Sequence, residues 1–290
     1  MHRALAPGTH RITVDGVVQR YHVHGAGPVC VVHPGGPGLS WDHLRLSGLE
    51  GANTIVYVEP IGTGESGRLP EADLYTLARY ATHLRAVVEA VGGRGAALLG
   101  HAHGGSVLQQ YVTAYPDSVR ALVLVCSTPV GNEELIRETE DNLSRFAEQH
   151  ARHGEAADVT AAYLDVLTAT DDHTLTYAVR RLFPAYFRDY WDSSSHESFF
   201  KLRSDITAWA APARRGGFER MDFRDRLARV RTPALVISGA WDPIIGPRWS
   251  RALEVSLPGA RLVQFPDSAH MPHLEEPDTF TRIVTEFLTR

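Results

Sequence analysis

Residue types that can support catalysis occur in three parts of the sequence that are far apart along the chain. HPGGPG occupies residues 33–38, GHAHGG occupies residues 100–105, and two later loops contain Asp242 and His270. An imidazole held by a carboxylate can act as a general base, and backbone N–H groups in a glycine-rich turn can stabilise an oxyanion. This combination is typical of sites for nucleophilic acyl transfer.

The GHAHGG stretch predicts a sharp turn that displays residue 102. A strand-like apolar run ends at Gly100, and apolar residues at helical spacing follow Gly105. Glycines at 100, 104 and 105 suit a turn with an unfavourable central conformation, against which a strand and a helix pass closely. The displayed residue is Ala102, a methyl group where a reactive side chain is expected. Ser106 lies about 6 Å along the helix axis from the turn, so we interpret it as a packing residue.

Two apolar patterns predict the elements that position these loops. Residues 9–25 alternate around Asp15-Gly16, which indicates a β-hairpin. Continuous apolar runs then indicate buried parallel strands: PVCVVH, NTIVYVEP, GAALLGH, RALVLVCS, TPALVISGAWD and ARLVQF. Helical spacing is found over 75–91, from Gly105 to Pro116, from about Pro247, and over 275–290. The alternation predicts an α/β fold with a mostly parallel, doubly wound sheet.

A helical cap is predicted between two parts of this core. Residues 130–225 contain helical patterns, beginning at Asn132, but no convincing buried strand. We therefore expect an N-terminal core part at 1–129, a cap at 130–225 and a C-terminal core part at 226–290. The aromatic residues crowded into the cap could line an apolar pocket or form its own core: Phe183, Tyr186, Phe187, Tyr190, Trp191, Phe199, Phe200 and Trp209.

The candidate residues should converge, because each lies just beyond a predicted strand. In an open parallel sheet, ligands bind beyond the carboxyl ends of the strands. Asp242 ends the ALVISGAWD run, and His270 lies between the last strand and the last helix. Asp267 is a competing acid that we interpret as a turn residue, and His273 is a second candidate base that we rank below His270.

In these features the chain resembles the α/β-hydrolases, and HPGGPG is similar to the oxyanion loop of their proline iminopeptidase branch. The resemblance covers essentially the whole chain and implies a G-x-S-x-G elbow with Ala102 at the nucleophile position. It implies that Asp242 and His270 complete a triad and that the amides of Gly36 and His103 form the oxyanion hole. Supporting positions in the loop and elbow are Gly35, Pro37, Gly38, Gly100, Gly104 and Gly105.

The resemblance has two departures. EPIGTGES has Glu59 and Ile61 at the Asp and Arg positions of the family's D-x-R-G-x-G-x-S loop, for which we expect a structural role. His103 follows the nucleophile position where the iminopeptidase branch usually has Trp. These departures argue against a close relationship to the iminopeptidase branch and leave the expected fold unchanged.

The predicted function is serine-type hydrolysis of an ester, amide or peptide bond, in a chain whose nucleophile has been removed by a Ser-to-Ala change. No metal or organic cofactor is expected, and the substrate is a small molecule or short peptide. Recognition of a substrate amine would need cap carboxylates, for which the candidates are Glu133, Glu134, Glu138, Glu197 and Asp205. The alternative is a natural nucleophile-less protein that binds a ligand or uses His270 as the base of a lyase, isomerase or cofactor-free oxygenase.

Composition limits the other classes of function. The formal net charge is −5 and the pI about 6.3, which gives no basic surface for nucleic acid. No apolar run reaches the ~18 residues of a membrane span, and no leader pattern precedes the hairpin, so a cytoplasmic enzyme is expected. A zinc site built on His101 and His103 with Asp242 and His270 is a rival interpretation that leaves the surrounding glycines unexplained. His22 and His24 are expected on a solvated face.

Overall fold

The computed structural model describes residues 3–216 and 220–289. Its strands are β1 (Gly8–Val14), β2 (Val17–Gly25), β3 (Val29–His33), β4 (Thr54–Glu59), β5 (Ala97–His101), β6 (Ala121–Val125), β7 (Val130–Gly131), β8 (Met221–Asp222), β9 (Ala234–Gly239) and β10 (Arg261–Phe265). Its α-helices are α1 (Ser47–Glu50), α2 (Leu77–Ala90), α3 (His103–Ala114), α4 (Glu133–Gln149), α5 (Val159–Thr168), α6 (Asp172–Leu182), α7 (His196–Asp205), α8 (Ala210–Gly216), α9 (Arg224–Leu227), α10 (Pro247–Ser256), α11 (Pro272–Glu275) and α12 (Pro277–Leu288).

Eight strands form one sheet in the order β1-β2-β4-β3-β5-β6-β9-β10. The predicted hairpin is present, and positive φ at Asp15 and Gly16 gives the two-residue turn that such hairpins favour. β2 pairs antiparallel with β4, and every pairing from β4 to β10 is parallel. The structure therefore confirms the mostly parallel α/β sheet.

The central strands are apolar throughout because both of their faces are covered. Along β5, Leu98 packs into a core with α2, α3 and α10, whereas Ala97 and Leu99 pack into a second core with α1 and α12. The alternation follows from the two-residue period of a strand. Helices on both faces thus bury the sheet and leave its carboxyl edge to carry the loops.

In its described residues, the segment between β6 and α9 contains five α-helices, α4 to α8, above the carboxyl edge of the sheet. Asn132 caps α4 by accepting a hydrogen bond from the Leu135 amide at 2.9 Å, as its position predicted. Two strands of two residues each, β7 and β8, pair antiparallel near the two ends of this segment. In the described part of the chain, no helix has the length and apolarity needed to cross a membrane.

Most of the crowded aromatic residues form the cap's own core. Phe183, Phe187, Tyr190 and Phe199 are buried together, and the Phe187 and Phe199 rings stack at 4.0 Å between centroids. They pack with apolar residues of α6 rather than facing an open space. Of the eight aromatics, only Tyr186 borders the large cavity described below.

Candidate active site

The predicted turn joins β5 directly to α3, with Ala102 between them at φ 49° and ψ −117°. Positive φ is strained for a residue with a Cβ atom, so neighbouring contacts must hold it. The Ala102 amide donates to the Val125 carbonyl at 2.9 Å, and the Ala102 carbonyl accepts from the Gly105 amide and the Ser127 hydroxyl, each at 2.9 Å. Three hydrogen bonds thus fix the residue that the turn displays.

The glycines beside Ala102 are required by close backbone approach. A methyl group on Gly104 would overlap the carbonyl oxygens of His33 and Pro34, and one on Gly105 would overlap the Ser127 side chain. A methyl group on Gly100 would lie 2.7 Å from the Gly104 carbonyl. The strand, the helix and the loop after β3 can therefore pass one another only without side chains.

Strand register brings the separate loops to one level. His33 at the end of β3 is paired with Gly100, and His101 at the end of β5 is paired with Val125. On the other side, Gly239 at the end of β9 is paired with Phe265. The chain therefore leaves the sheet at neighbouring points before each candidate loop, as the strand ends predicted.

Asp242 and His270 form a buried pair. His270 Nδ1 lies 2.9 Å from Asp242 Oδ2, and both residues are 4% exposed. Asp242 Oδ1 accepts hydrogen bonds from the amides of Ile244 at 2.9 Å and Ile245 at 3.2 Å. The carboxylate is thus held on both oxygens, an arrangement that orients the imidazole and leaves its Nε2 free of Asp242.

Gly36 and His103, the two residues whose amides are the predicted oxyanion donors, lie beside the same cavity. Both residues border the cavity that also contacts Ala102 and His270. Within residues 3–216 and 220–289, neither amide donates a hydrogen bond to another protein group. His103 opens the twelve-residue α3, whose N-terminal end favours negative charge. Gly36 has φ 131°, a conformation open to glycine, and Gly35, Pro37 and Gly38 complete the loop.

A cavity of about 190 Å³ lies between this edge of the sheet and the helices above it. Apolar side chains of the upper helices, including Leu175, Val179 and Leu182 of α6, form much of its wall. Its polar groups are hydroxyls and imidazoles, and none of the described residues that line it carries a carboxylate, an ammonium or a guanidinium group. The cavity suits an uncharged, largely apolar ligand.

Burial keeps three histidines that line the cavity, His43, His101 and His103, neutral by lowering their pKa values. Burial lowers the pKa of His103 to about 3, with the nearby His33 adding to the effect. The pKa of His101 lies well below its ordinary value, first because of burial and then because His270 and His273 are close. Burial also lowers the pKa of His43. These side chains therefore act as neutral polar groups at physiological pH.

Among the described residues, His101 and His103 do not cluster with Asp242 and His270 as possible zinc ligands. His101 Nε2 contacts the His270 carbonyl at 2.8 Å instead of facing Asp242. In the described chain, the ligand atoms that cluster within 4.8 Å belong to Cys126, Asp242 and His270. Burial and the neighbouring Asp242 raise the pKa of the Cys126 thiol well above its ordinary value.

The candidate cap carboxylates lie away from the cavity. Glu134 and Glu138 pair with Arg248, Glu133 pairs with Arg220, and Asp205 pairs with Lys201. Neither these four residues nor Glu197 borders the cavity. The proposed amine-binding role of these carboxylates therefore has no support in the geometry.

The expectation for His22 is wrong. The residue is 8% exposed, and its Nε2 lies 2.9 Å from the Glu59 carboxylate while its ring stacks on Trp41. Glu59 also accepts hydrogen bonds from the amides of Glu65 and Ser66, so it organises the EPIGTGES loop. Strand alternation places His22 on one face but cannot show that this face is covered.

Asp267 and His273 do not compete with the buried pair. Asp267 is exposed and pairs with Arg188. His273 is buried in the short α11, and burial lowers its pKa to about 3. Ser106 is buried in α3 and borders the cavity, but it is not at the turn.

Glu275 is a half-buried residue near the site that the sequence did not single out. Its Oε2 accepts from the Ala269 amide at 2.8 Å, and its Oε1 accepts from the Arg188 amide at 2.7 Å. Burial raises the pKa of Glu275 to about 8, against the opposing effect of these two amides and with the nearby Asp242 adding to it. Its partners come together only in the folded chain, so no local pattern could have found it.

Comparison with known proteins places this geometry in a family. A family model described as the alpha/beta hydrolase fold matches residues 28–277. A proline iminopeptidase of Saccharolobus solfataricus is 25% identical over 283 residues, which cover 92% of this chain and 87% of that protein. A putative 2-succinyl-6-hydroxy-2,4-cyclohexadiene-1-carboxylate synthase of Bacillus subtilis is 26% identical over 293 residues, covering 97% and 99%.

Solved structures show the same architecture. A thermophilic esterase from Thermogutta terrifontis has a TM-score of 0.71 at 23% identity, over 97% of this chain and 98% of that one. The sheet order, the elbow between β5 and α3 and the match over most of the sequence agree with one another. The chain is a member of the α/β-hydrolase fold family and resembles its proline iminopeptidase branch.

Proposed function

We propose that this site is the catalytic centre of a serine-type hydrolase in which Ala102 occupies the position of the nucleophile. The observation that carries the proposal is the complete set of supporting groups around the methyl group. The Asp242–His270 pair is buried at 2.9 Å, Ala102 is held at positive φ, and two free amides border the same cavity. A Ser-to-Ala change removes one oxygen atom and leaves all of these groups in place.

With serine at position 102, the reaction would follow from the geometry. His270 Nε2 would accept the proton of the hydroxyl as its oxygen attacks the substrate carbonyl carbon. The amides of Gly36 and His103 would stabilise the oxyanion, and the imidazolium would return the proton to the leaving group. Water, activated by the same imidazole, would then hydrolyse the acyl-enzyme. Asp242 would keep the imidazole in the required tautomer.

The chain with Ala102 should bind substrate without appreciable turnover. Removing the nucleophile of a comparable triad lowers kcat by roughly 10⁶-fold. The cavity and the two amides do not depend on the side chain at position 102. Binding and catalysis are therefore separable in this chain.

The lining of the cavity supports an uncharged acyl substrate, with esters preferred to aminoacyl amides. A protonated amine buried without a carboxylate partner would lose its hydration without compensation. The described lining contains no such partner, and the candidate carboxylates of the cap are paired elsewhere. We therefore do not extend to this chain the activity for which the Saccharolobus relative is named.

A non-hydrolytic reaction is the second candidate, because Ala102 itself favours it. The relative from Bacillus subtilis aligns over nearly the whole chain and is named as a putative synthase. In this alternative His270, oriented by Asp242, would act as the sole base, and the two amides would stabilise an enolate. In a further alternative, the chain would bind a ligand in the same cavity without catalysing a reaction.

The test is turnover by Ala102→Ser, alone and combined with His270→Ala. We expect the single variant to hydrolyse p-nitrophenyl butyrate and octanoate at least about 10³-fold faster than the parent chain. The double variant should fall back toward the parent rate. Proline p-nitroanilide should be a poor substrate of both. If Ala102→Ser hydrolyses neither class, the hydrolase proposal is wrong and the non-hydrolytic candidate is favoured.

A further inference from the structure

The helical cap contacts the catalytic-histidine loop through its backbone. The His270 amide donates to the Tyr186 carbonyl at 3.0 Å, and the two rings pack at 5.4 Å between centroids. Two residues later, Arg188 pairs through its guanidinium with Asp267 and lies over the Trp241 ring at 4.9 Å. The cap segment 186–188 is therefore attached to both ends of the loop formed by residues 267–270.

Glu275 hydrogen-bonds both to the cap segment 186–188 and to the loop formed by residues 267–270. One carboxylate oxygen accepts the Arg188 amide of the cap, and the other accepts the Ala269 amide, one residue before His270. A single half-buried carboxylate thus bridges the cap and the loop, alongside their direct contacts. The neighbouring Glu276 bonds only within the loop, to the Asp267 amide at 3.1 Å and the Ser268 hydroxyl at 2.7 Å.

The attached cap segment is continuous with the wall of the cavity. Leu175, Val179 and Leu182 of α6 border the cavity, and the chain runs from Leu182 through a single 3-10 turn, Phe183–Tyr186, to the attachment. An acyl chain that presses on α6 therefore acts on the segment that holds His270. The cap segment thus connects the cavity wall, which the apolar end of a substrate would contact, with His270.

We propose that Glu275 is a positioning residue that couples the cap to His270, so that filling the α6 end of the cavity sets the imidazole for catalysis. The inference rests on the proposed function for its kinetic consequence, but the coupling itself is a property of the chain with Ala102. It predicts that long acyl chains raise kcat as well as lowering KM.

The first test measures amide hydrogen exchange in the chain with Ala102, where no turnover is needed. Above pH 8, where Glu275 is ionised and accepts from both amides, Glu275→Gln replaces one acceptor oxygen by an NH2 group, so we expect exchange at Arg188 and Ala269 to rise together, by about tenfold or more. The Nδ1–H proton signal of His270 should broaden as its bond to Asp242 loosens. Glu276→Gln is the matched control and should affect Asp267 alone.

A ligand experiment on the parent chain guards against a variant that fails to fold. Saturating methyl octanoate should slow exchange at the Arg188 and Ala269 amides together, whereas methyl acetate should not. The coupling would be overturned if the exchange rates of the two amides changed independently in both the variant and the ligand experiment. The His270 signal would then also be unchanged.

The second test is kinetic and uses the Ala102→Ser background. Adding Glu275→Gln should lower kcat for p-nitrophenyl octanoate by about 10- to 100-fold with KM changed less than about threefold. The octanoate-to-acetate ratio of kcat should fall toward one, while Glu276→Gln keeps it. An unchanged ratio in an active enzyme would contradict the proposal. If Ala102→Ser is inactive, the hydrolase proposal fails, and the exchange data alone decide the coupling.

Discussion

The conformation of the turn at Ala102 is held by backbone contacts and does not depend on the side chain of that residue. Its positive φ costs of order 1–3 kcal/mol for a residue with a Cβ atom, and three backbone-directed hydrogen bonds hold it there. The same strain would direct a serine hydroxyl toward His270 and the free amides. Under the proposed function, alanine at this position would alter the chemistry of the turn and leave its geometry intact.

The elbow glycines should tolerate no side chain. Gly104→Ala would drive a methyl group into the carbonyl oxygens of His33 and Pro34, and we expect the free energy of unfolding to fall by about 1–3 kcal/mol. Gly154→Ala is the matched control, because nothing lies within 4 Å of the added methyl group, and it should change stability by less than about 0.5 kcal/mol. Urea denaturation of both variants measures the difference, and equal midpoints would refute the steric explanation.

At the residue scale, chain order and motif spacing predicted that Asp242 and His270 lie close together. Asp242 and His270 could be chosen because each follows a strand run, and the structure brings them within hydrogen-bond distance. His22 was wrongly placed in solvent, because its partner Glu59 is 37 residues away and Trp41 covers the ring. Contacts of that kind depend on the tertiary fold, which local alternation does not encode.

Short elements around the sheet edge determine how the loops are held. α11 is only four residues long, yet it places Glu275 beneath the His270 loop and against the cap. The helices and strands themselves were predictable from apolar periodicity, with ends shifted by a few residues. The partners of the cap aromatics were not, since a periodic aromatic pattern fits a pocket wall and a small core equally well.

Glu275 should make stability depend on pH. Its folded pKa of about 8 exceeds the ordinary value of 4.5 for a glutamate, so the folded chain binds this proton more tightly than the unfolded chain. Its contribution to stability is therefore full below pH 4.5 and is lost as pH rises toward 8. Asp242 and Asp189, whose charges face it, act in the same direction.

Glu275→Gln removes this titration. Between pH 5.5 and 7.5, the parent chain should lose about 1–3 kcal/mol of unfolding free energy relative to the variant. Urea denaturation of both proteins across this range gives the difference directly. A stability difference that does not change with pH would show that Glu275 does not titrate there.

At the scale of the whole molecule, the site lies where two separately packed parts meet. The sheet and its helices supply the elbow, the buried pair and the free amides, and the helices above supply the apolar wall. The order of elements predicted the mostly parallel sheet of the first part, while the cap boundaries at 130 and 225 stay a prediction. The neutral lining could not be predicted, because it depends on which faces of the cap helices turn inward and on the ion pairs that take the acidic residues elsewhere.

The most direct measurement of the central claim is covalent labelling of Ala102→Ser with an alkyl fluorophosphonate, read by intact mass and by peptide mapping. The account predicts one adduct per chain at residue 102. It also predicts that labelling is lost in Ala102→Ser with His270→Ala and is absent from the parent chain. A folded Ala102→Ser protein that stays unlabelled, or that labels at Ser106 instead, would contradict the account.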